Sequence, residues 1–196
     1  IGPKDFQTAR DLFTILKVPC LTAPWEAEKM CAKLCTDGLV DAVLSEDTDV
    51  IAYGAPVFLT KIDTSQDTVV AINNVKVREA LGISYQQLLD LCIMCGTDYN
   101  PNIFRVGAHT AYKKLLKFKN IEGVGSGTTL DTSVLKYKRV RELFTEFEDY
   151  KIESIPYCGS PDYEKLLAFL LEHKVWYDTR RSPEANVHAV ESRLEK

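Results

Sequence analysis

Ala23-Pro24-Trp25-Glu26-Ala27-Glu28 is the stretch on which the reading of this chain turns. It follows a short apolar run, Val18 to Leu21, which reads as a buried strand. Proline is at home in a first helical turn, so the spacing predicts a helix from about Pro24 to Cys35, stopped at Asp37-Gly38. Glu26 and Glu28 then stand at the start of that helix. Two further acidic clusters answer the pair: Ser45-Glu46-Asp47-Thr48-Asp49 and Gly96-Thr97-Asp98-Tyr99. Each sits where an apolar element ends.

Working outward, Leu39 to Leu44 reads as a second buried strand and Asp47 to Tyr53 as a short helix or turn ended by Gly54. Val57 to Ile62 and Thr68 to Ile72 read as strands joined through Thr64-Ser65-Gln66-Asp67. Strand, helix, strand, helix at these spacings is the pattern of a parallel sheet, whose sites gather at the carboxyl ends of the strands. Both acidic pairs are therefore expected along one sheet edge. Upstream, Asp5 to Lys17 carries the apolar stripe of an amphipathic helix. From Val75 onward the pattern is helical: Val75 to Leu81, Tyr85 to Cys95 capped by Gly96, and Ala108 to about Lys117. Gly123 to Thr129, rich in glycine, reads as a flexible loop. Ser133 to Glu148 reads as an amphipathic helix with a basic early half (Lys136, Lys138, Arg139, Arg141), and Asp162 to His173 and Pro183 to Leu194 as further helices.

The 196 residues are 45% apolar and 27% charged, ordinary for a globular protein with a real core. No apolar run reaches the roughly 20 residues that span a bilayer, and no membrane partner is expected. No secretory signal opens the chain, and Ile1-Gly2-Pro3-Lys4 reads as the middle of a longer protein. The net charge of −4 argues against a broad basic coat but leaves nucleic acid open, because acids that ligate metal are cancelled locally. Cys31/Cys35 and Cys92/Cys95 fall at helical spacing in apolar stretches, which points to buried free thiols in a reducing, intracellular compartment rather than to zinc.

Carboxylates grouped this way repel one another unless a cation holds them. Magnesium and manganese take oxygen ligands and keep several waters. A phosphodiester site holds two such ions about 4 Å apart, one to make hydroxide and one to steady the leaving oxygen. Glu26, Glu28, Asp47, Asp49 and Asp98 suit that chemistry. The bland alternative is that acids in a first helical turn only complement the helix dipole, and that an aspartate before a helix only caps it.

The motifs carry a resemblance. Ala23 to Glu28 resembles the AP-x-EAE box of the flap endonuclease and XPG-type structure-specific 5′ nucleases. Ser45 to Asp49 resembles their (S/T)-(E/D)-D-x-D box, Gly54-Ala55-Pro56-Val57 the strand start after it, and Leu89 to Tyr99 their LDLCIxxG(S/T)DY helix end. The order is the family's, from Asp11 to about Leu116. The resemblance implies an α/β fold: a PIN-like, parallel-sheet nuclease core over residues 1–98, then a helical DNA-binding region over 99–196 with a helix–two-turn–helix at about 99–119. It implies two Mg²⁺ or Mn²⁺ on Glu26, Glu28, Asp47, Asp49 and Asp98 as the catalytic centre. It implies K⁺ on carbonyls of Asn102, Ile103 and Val106, and duplex contacts by Arg105, Gly107, Lys113, Lys114 and Lys117, with Lys119 extending the basic face. Where the family has Gly-Ile-Gly-Pro this chain has Arg105-Val106-Gly107-Ala108, so its hairpin is built without the first glycine. The family's N-terminal aspartates and helical arch would precede Phe6, in a missing N-terminal segment, and a sliding-clamp-binding tail is not visible.

The expected activity is hydrolysis of double-stranded DNA bearing a single-stranded 5′ branch, in replication, repair or recombination. The nucleus is the expected location in a eukaryotic cell, and a cytoplasmic replication site for a virus. Two rivals stand beside it: a non-catalytic nucleic-acid scaffold on the same fold, and a PIN-type RNA nuclease.

Overall fold

The structure, a computed structural model, describes residues 2–147 and 152–175, and the helix expected over Pro183 to Leu194 lies outside them. The described chain divides into two compact units, one of residues 1–22 with 154–196 and one of residues 23–153.

Ser84 and Gln87 start the helix around which the larger unit is built. Gln87 N–H donates to Ser84 Oγ at 3.2 Å and Gln87 Oε1 accepts from Ser84 N–H at 3.1 Å, a reciprocal capping box. The larger unit begins with a helix over Ala27–Thr36, here α2 because Pro3–Ile15 of the smaller unit is α1. Then come β1 (Val43–Leu44), α3 (Asp49–Ala52), β2 (Val57–Asp63), β3 (Thr68–Asn73), α4 (Asn74–Leu81) and the capped helix α5 (Tyr85–Cys95). α6 (Ala108–Phe118), α7 (Ile121–Gly127) and α8 (Tyr137–Thr145) complete the unit. Leu88, Leu89, Asp90, Ile93 and Met94 of α5 are buried, and Phe58, Ala111, Leu115, Val124 and Phe144 close the same core. Burial on this scale is the main stabilising contribution.

β1 pairs parallel with β2, Val43 opposite Phe58 and Leu44 opposite Leu59. β2 pairs antiparallel with β3, from Val57 opposite Asn73 to Asp63 opposite Thr68. The sheet therefore contains the parallel crossover expected of β1-α3-β2 and adds an antiparallel hairpin. Asp63 Oδ1 builds that turn by accepting Ser65 N–H at 2.9 Å.

Several elements differ from expectation. Val18 to Leu21 is irregular, not a strand: Lys17 turns the chain at φ 56°, and Val18 and Leu21 are exposed. The second strand is only Val43–Leu44. Gly123 to Thr129 is not a loop over most of its length but α7. Asn120 caps it, its Oδ1 accepting Gly123 N–H at 2.7 Å. A Cβ on Gly123 would lie 2.2 Å from Phe118 O, and one on Gly127 2.3 Å from the Phe118 ring. Those glycines serve close packing, not flexibility. Ser133 to Glu148 is broken at Lys136 (φ 46°) into a 3-10 turn, Ser133–Leu135, and α8. Cys31 and Cys95 are exposed rather than buried, and all six cysteines are free. The boundary expected at 98/99 falls inside the larger unit, where α5 and α6 share one core.

In the smaller unit α1 and α9 (Tyr163–Glu172) meet, with Asp162 N–H donating to Ile15 O at 3.0 Å and Gly159 N–H to Lys17 O at 3.2 Å. Neither helix has a fully buried residue. Among the described residues no helix is long and apolar enough to cross a membrane.

Candidate metal and duplex-binding site

Four of the five expected acids gather at one end of the larger unit. Glu26 is the N-cap residue of α2. Asp47 lies between β1 and α3, and Asp49 is the first residue of α3. Local chemistry shapes that loop: Asp47 N–H donates to Ser45 Oγ at 3.0 Å, and Asp49 N–H to Asp47 Oδ1 at 2.8 Å. Asp98 arrives from the turn after α5, and its backbone N–H faces the Asp49 carboxyl.

Asp49 carries the electrostatic signature of the group. Its carboxyl is pushed up to about 6, first by burial and then by the charges of Asp47, Asp98 and Glu26, against the lowering effect of the Asp98 N–H. The three charges that chiefly act on it are all carboxylates. Glu28 stands apart, two residues on in the helix, where its charge helps raise the Cys31 thiol, after burial. Residues i and i+2 do not share a helix face.

The donor set is all oxygen and anionic, which fits magnesium or manganese. Asp49, half-buried beside three other carboxylates, is the group a divalent cation would relieve. Among the described residues no three His, Cys, Asp or Glu side chains close on one point as a complete ligand set would.

Two tyrosines that sequence reasoning passed over lie in the site. Tyr53 Oη and Tyr99 Oη both donate to Glu26 Oε2, at 2.5 and 2.7 Å. The signal was available for Tyr99, which follows Asp98 directly. For Tyr53, at the end of α3, nothing in the spacing marked it as polar rather than core. Trp25 was also missed as packing: its ring meets Phe147 edge-on at 6.4 Å, and the buried Lys29 Nζ lies 5.4 and 5.3 Å from the two centroids. The start of α2, and with it Glu26, is thereby tied to the end of α8. A cleft of about 370 Å³, lined in part by Lys33, Tyr53, Asn74, Arg78, Tyr85 and Phe147, contains none of the five acids.

The segment from Gly96 to Gly107 makes two successive turns between α5 and α6. Gly96 starts the first at φ 93°, and a Cβ there would lie 3.1 Å from Asn102 N. Thr97 and Asn100 exchange backbone hydrogen bonds at 3.0 and 3.2 Å, and the buried Asn100 Nδ2 donates to Ile93 O at 2.8 Å. In the second turn Val106 N–H donates to Ile103 O at 3.0 Å, with both side chains buried. Arg105 takes φ 60° there, the left-handed position a glycine would fill without strain. Its guanidinium lies 5.1 Å from the ring of Phe104, which is 81% exposed.

Asn102 and Gly107 are exposed, and Gly107 begins α6 with no side-chain cap, leaving that helix's first N–H groups to another acceptor. Lys113 and Lys117 are exposed on α6, Lys114 is half-buried, and Lys119 is exposed at its end. Ile103 O already accepts one hydrogen bond, so of the three carbonyls expected to hold a monovalent cation it has one lone pair engaged.

The XPG I-region family model matches residues 17–98. Flap endonuclease 1-1 of Paramecium tetraurelia is 34% identical over 191 residues, covering 89% of this chain and 49% of that protein. A probable flap endonuclease 1 homolog of Danio rerio is 37% identical over 169 residues, covering 83% and 48%. Flap endonuclease-1 from Methanococcus jannaschii superposes with a TM-score of 0.72 at 28% identity, covering 88% of this chain and 53% of that one. The catalytic core of Rad2, solved in complex with DNA substrate, superposes with a TM-score of 0.79 at 18% identity, covering 95% and 68%, a likeness of fold. The chain spans about half the length of the curated relatives it matches.

Proposed function

The chain belongs to the flap endonuclease/XPG family of nucleases, and from that premise we propose that it works in divalent-metal-dependent, structure-specific 5′ cleavage of branched or flapped DNA. The observation that carries this reading is the group Glu26, Asp47, Asp49 and Asp98, in which the charges of Asp47, Asp98 and Glu26 all act on Asp49. In the proposal these residues hold Mg²⁺ or Mn²⁺, and Glu28 joins them through water. When bound, such ions supply an activated water and stabilise charge on the leaving oxygen. The chain's own acids would fix the ions' places and keep the phosphodiester's approach to one side.

In the same reading the two turns and α6 hold the duplex. Gly107 and the uncapped start of α6 offer N–H groups to a phosphate, while Arg105, Lys113, Lys114 and Lys117 add positive charge beside it. K⁺ would sit on the carbonyls of Asn102, Ile103 and Val106 between the turn and a phosphate. The six free thiols support a reducing compartment.

The test is cleavage of a 5′-labelled flap duplex by the whole protein and its Asp47→Ala variant, in Mg²⁺ and in EDTA. Cutting near the junction in Mg²⁺ alone is expected, with the variant losing at least about 100-fold in rate while duplex binding persists. Equal cutting by both proteins would overturn the reading. Tight, salt-sensitive binding with cutting by neither would favour the non-catalytic scaffold.

A further inference from the structure

Glu26 is an exposed side chain at a helix start, yet it is pinned. Tyr53 Oη donates to its Oε2 at 2.5 Å and Tyr99 Oη to the same atom at 2.7 Å, while the two hydroxyls stand 2.7 Å from each other. Both hydroxyls reach Oε2, and neither reaches Oε1. Two hydroxyl protons serve three oxygen–oxygen contacts, so the arrangement is satisfied when both protons point at the carboxylate and the tyrosine oxygens are held together by other means.

Those means are visible. The buried ring of Phe144 lies 4.7 Å from the Tyr53 centroid and 5.3 Å from that of Tyr99. One turn earlier on α8, Arg141 is locked to the buried Asp90 of α5 at 2.7 Å. The tyrosine pair thus stands on the helical layer and reaches across to an acid carried by α2.

We propose that Tyr53 and Tyr99 are positioning residues: a two-hydroxyl clamp on Oε2 that fixes the rotamer of Glu26 and leaves Oε1 pre-oriented for a divalent cation. The inference rests on the metal-site reading above. Partners that orient a ligand without touching the metal commonly govern 10–100-fold in metal affinity. Phenylalanine at either position keeps the ring against Phe144 and removes only the donor.

The experiment is titration of the whole chain with Mn²⁺ in the absence of DNA, free Mn²⁺ being read by electron paramagnetic resonance. Wild type, Tyr53→Phe, Tyr99→Phe and the double variant are compared, each also in a Glu26→Gln background. The double variant is expected to bind Mn²⁺ about 10-fold more weakly, each single variant less so, with circular dichroism unchanged and with no further loss in the Glu26→Gln background. A double variant within about twofold of wild type would overturn the inference, as would an equal loss with and without Glu26. Both outcomes leave the metal site standing. A wild-type chain that binds no Mn²⁺ would instead remove the metal-site reading, and this inference with it.

Discussion

Two groups of carboxylates in the larger unit have opposite electrostatic settings. Asp90, fully buried on α5, accepts from Arg141 Nε and an Nη at 2.7 and 2.8 Å and from Ile121 N–H at 3.2 Å. Glu122 takes the other side of the same guanidinium at 2.7 and 2.9 Å. Asp49, half-buried at the start of α3, is raised by burial and by the charges of Asp47, Asp98 and Glu26. The first group receives its counter-charge from the chain, and it joins α5, α7 and α8 into one block. The second gathers like charges around Asp49. An ion pair built for folding is complete within the chain, whereas the proposed cation site would be complete only with its ion.

Breaking the internal pair should have the largest effect. Asp90→Ala leaves Arg141 with a vacated buried partner and should cost about 3–5 kcal/mol, a fall of roughly 6–20 °C in Tm by calorimetry for a unit of this size. A loss under about 1 kcal/mol would mean that the guanidinium is adequately solvated without Asp90.

Supplying the missing charge comes next. Saturating Mg²⁺ or Mn²⁺, at about 100 times its Kd, should stabilise wild type by about 2.7 kcal/mol. Asp49→Asn should lose most of that gain. In the metal-free protein the same variant should melt about 1–3 °C higher than wild type, a figure discounted for solvent screening.

The smallest effect is in the pH dependence, where the two groups have opposite signs. The native carboxyl of Asp49 is raised to about 6, so its contribution is fully present below its ordinary value near 3.8 and is lost as pH rises through 6. The Asp49→Asn advantage should therefore vanish in acid. Glu122 is lowered, chiefly by its bonds to Arg141, so its contribution is present above its ordinary value near 4.5 and is lost as pH falls below it. Glu122→Gln should flatten the acid limb of a stability–pH curve by about 0.2–1 kcal/mol, the range for a solvent-screened pair.

Where a signal was local, the chain could be read from its residues. Tyr85–Cys95 was legible from its apolar spacing and from Gly96, and β2 and β3 from runs of β-branched and aromatic residues between turn formers. α6 was legible from its spacing. The placement of Glu26, Asp47, Asp49 and Asp98 at element ends was legible from the apolar runs before them. The errors arose where the deciding partner is distant. Glycines at 123 and 127 suggest a loop until Phe118 is seen to occupy the space a Cβ would need. Val18 to Leu21 has strand composition but finds no strand partner among the described residues. Asp90 reads as one more acid in a helix until Arg141, 51 positions away, is placed beside it.

The sequence by itself determined the chemistry available: carboxylates at fixed spacing, a capped apolar helix, two turns and a basic helix after it, with family motifs in order. Those follow from covalent order and short-range propensity, which do not depend on the rest of the fold. Tertiary structure decided which acids meet and what holds them. It brought Glu26 to Tyr53 and Tyr99, separated by 27 and 73 positions, and set both rings on Phe144. It also gave Asp90 a counter-ion and set Asp49 among other acids. Hydrogen bonds and desolvation act over a few ångströms, so only the packed chain could assign them.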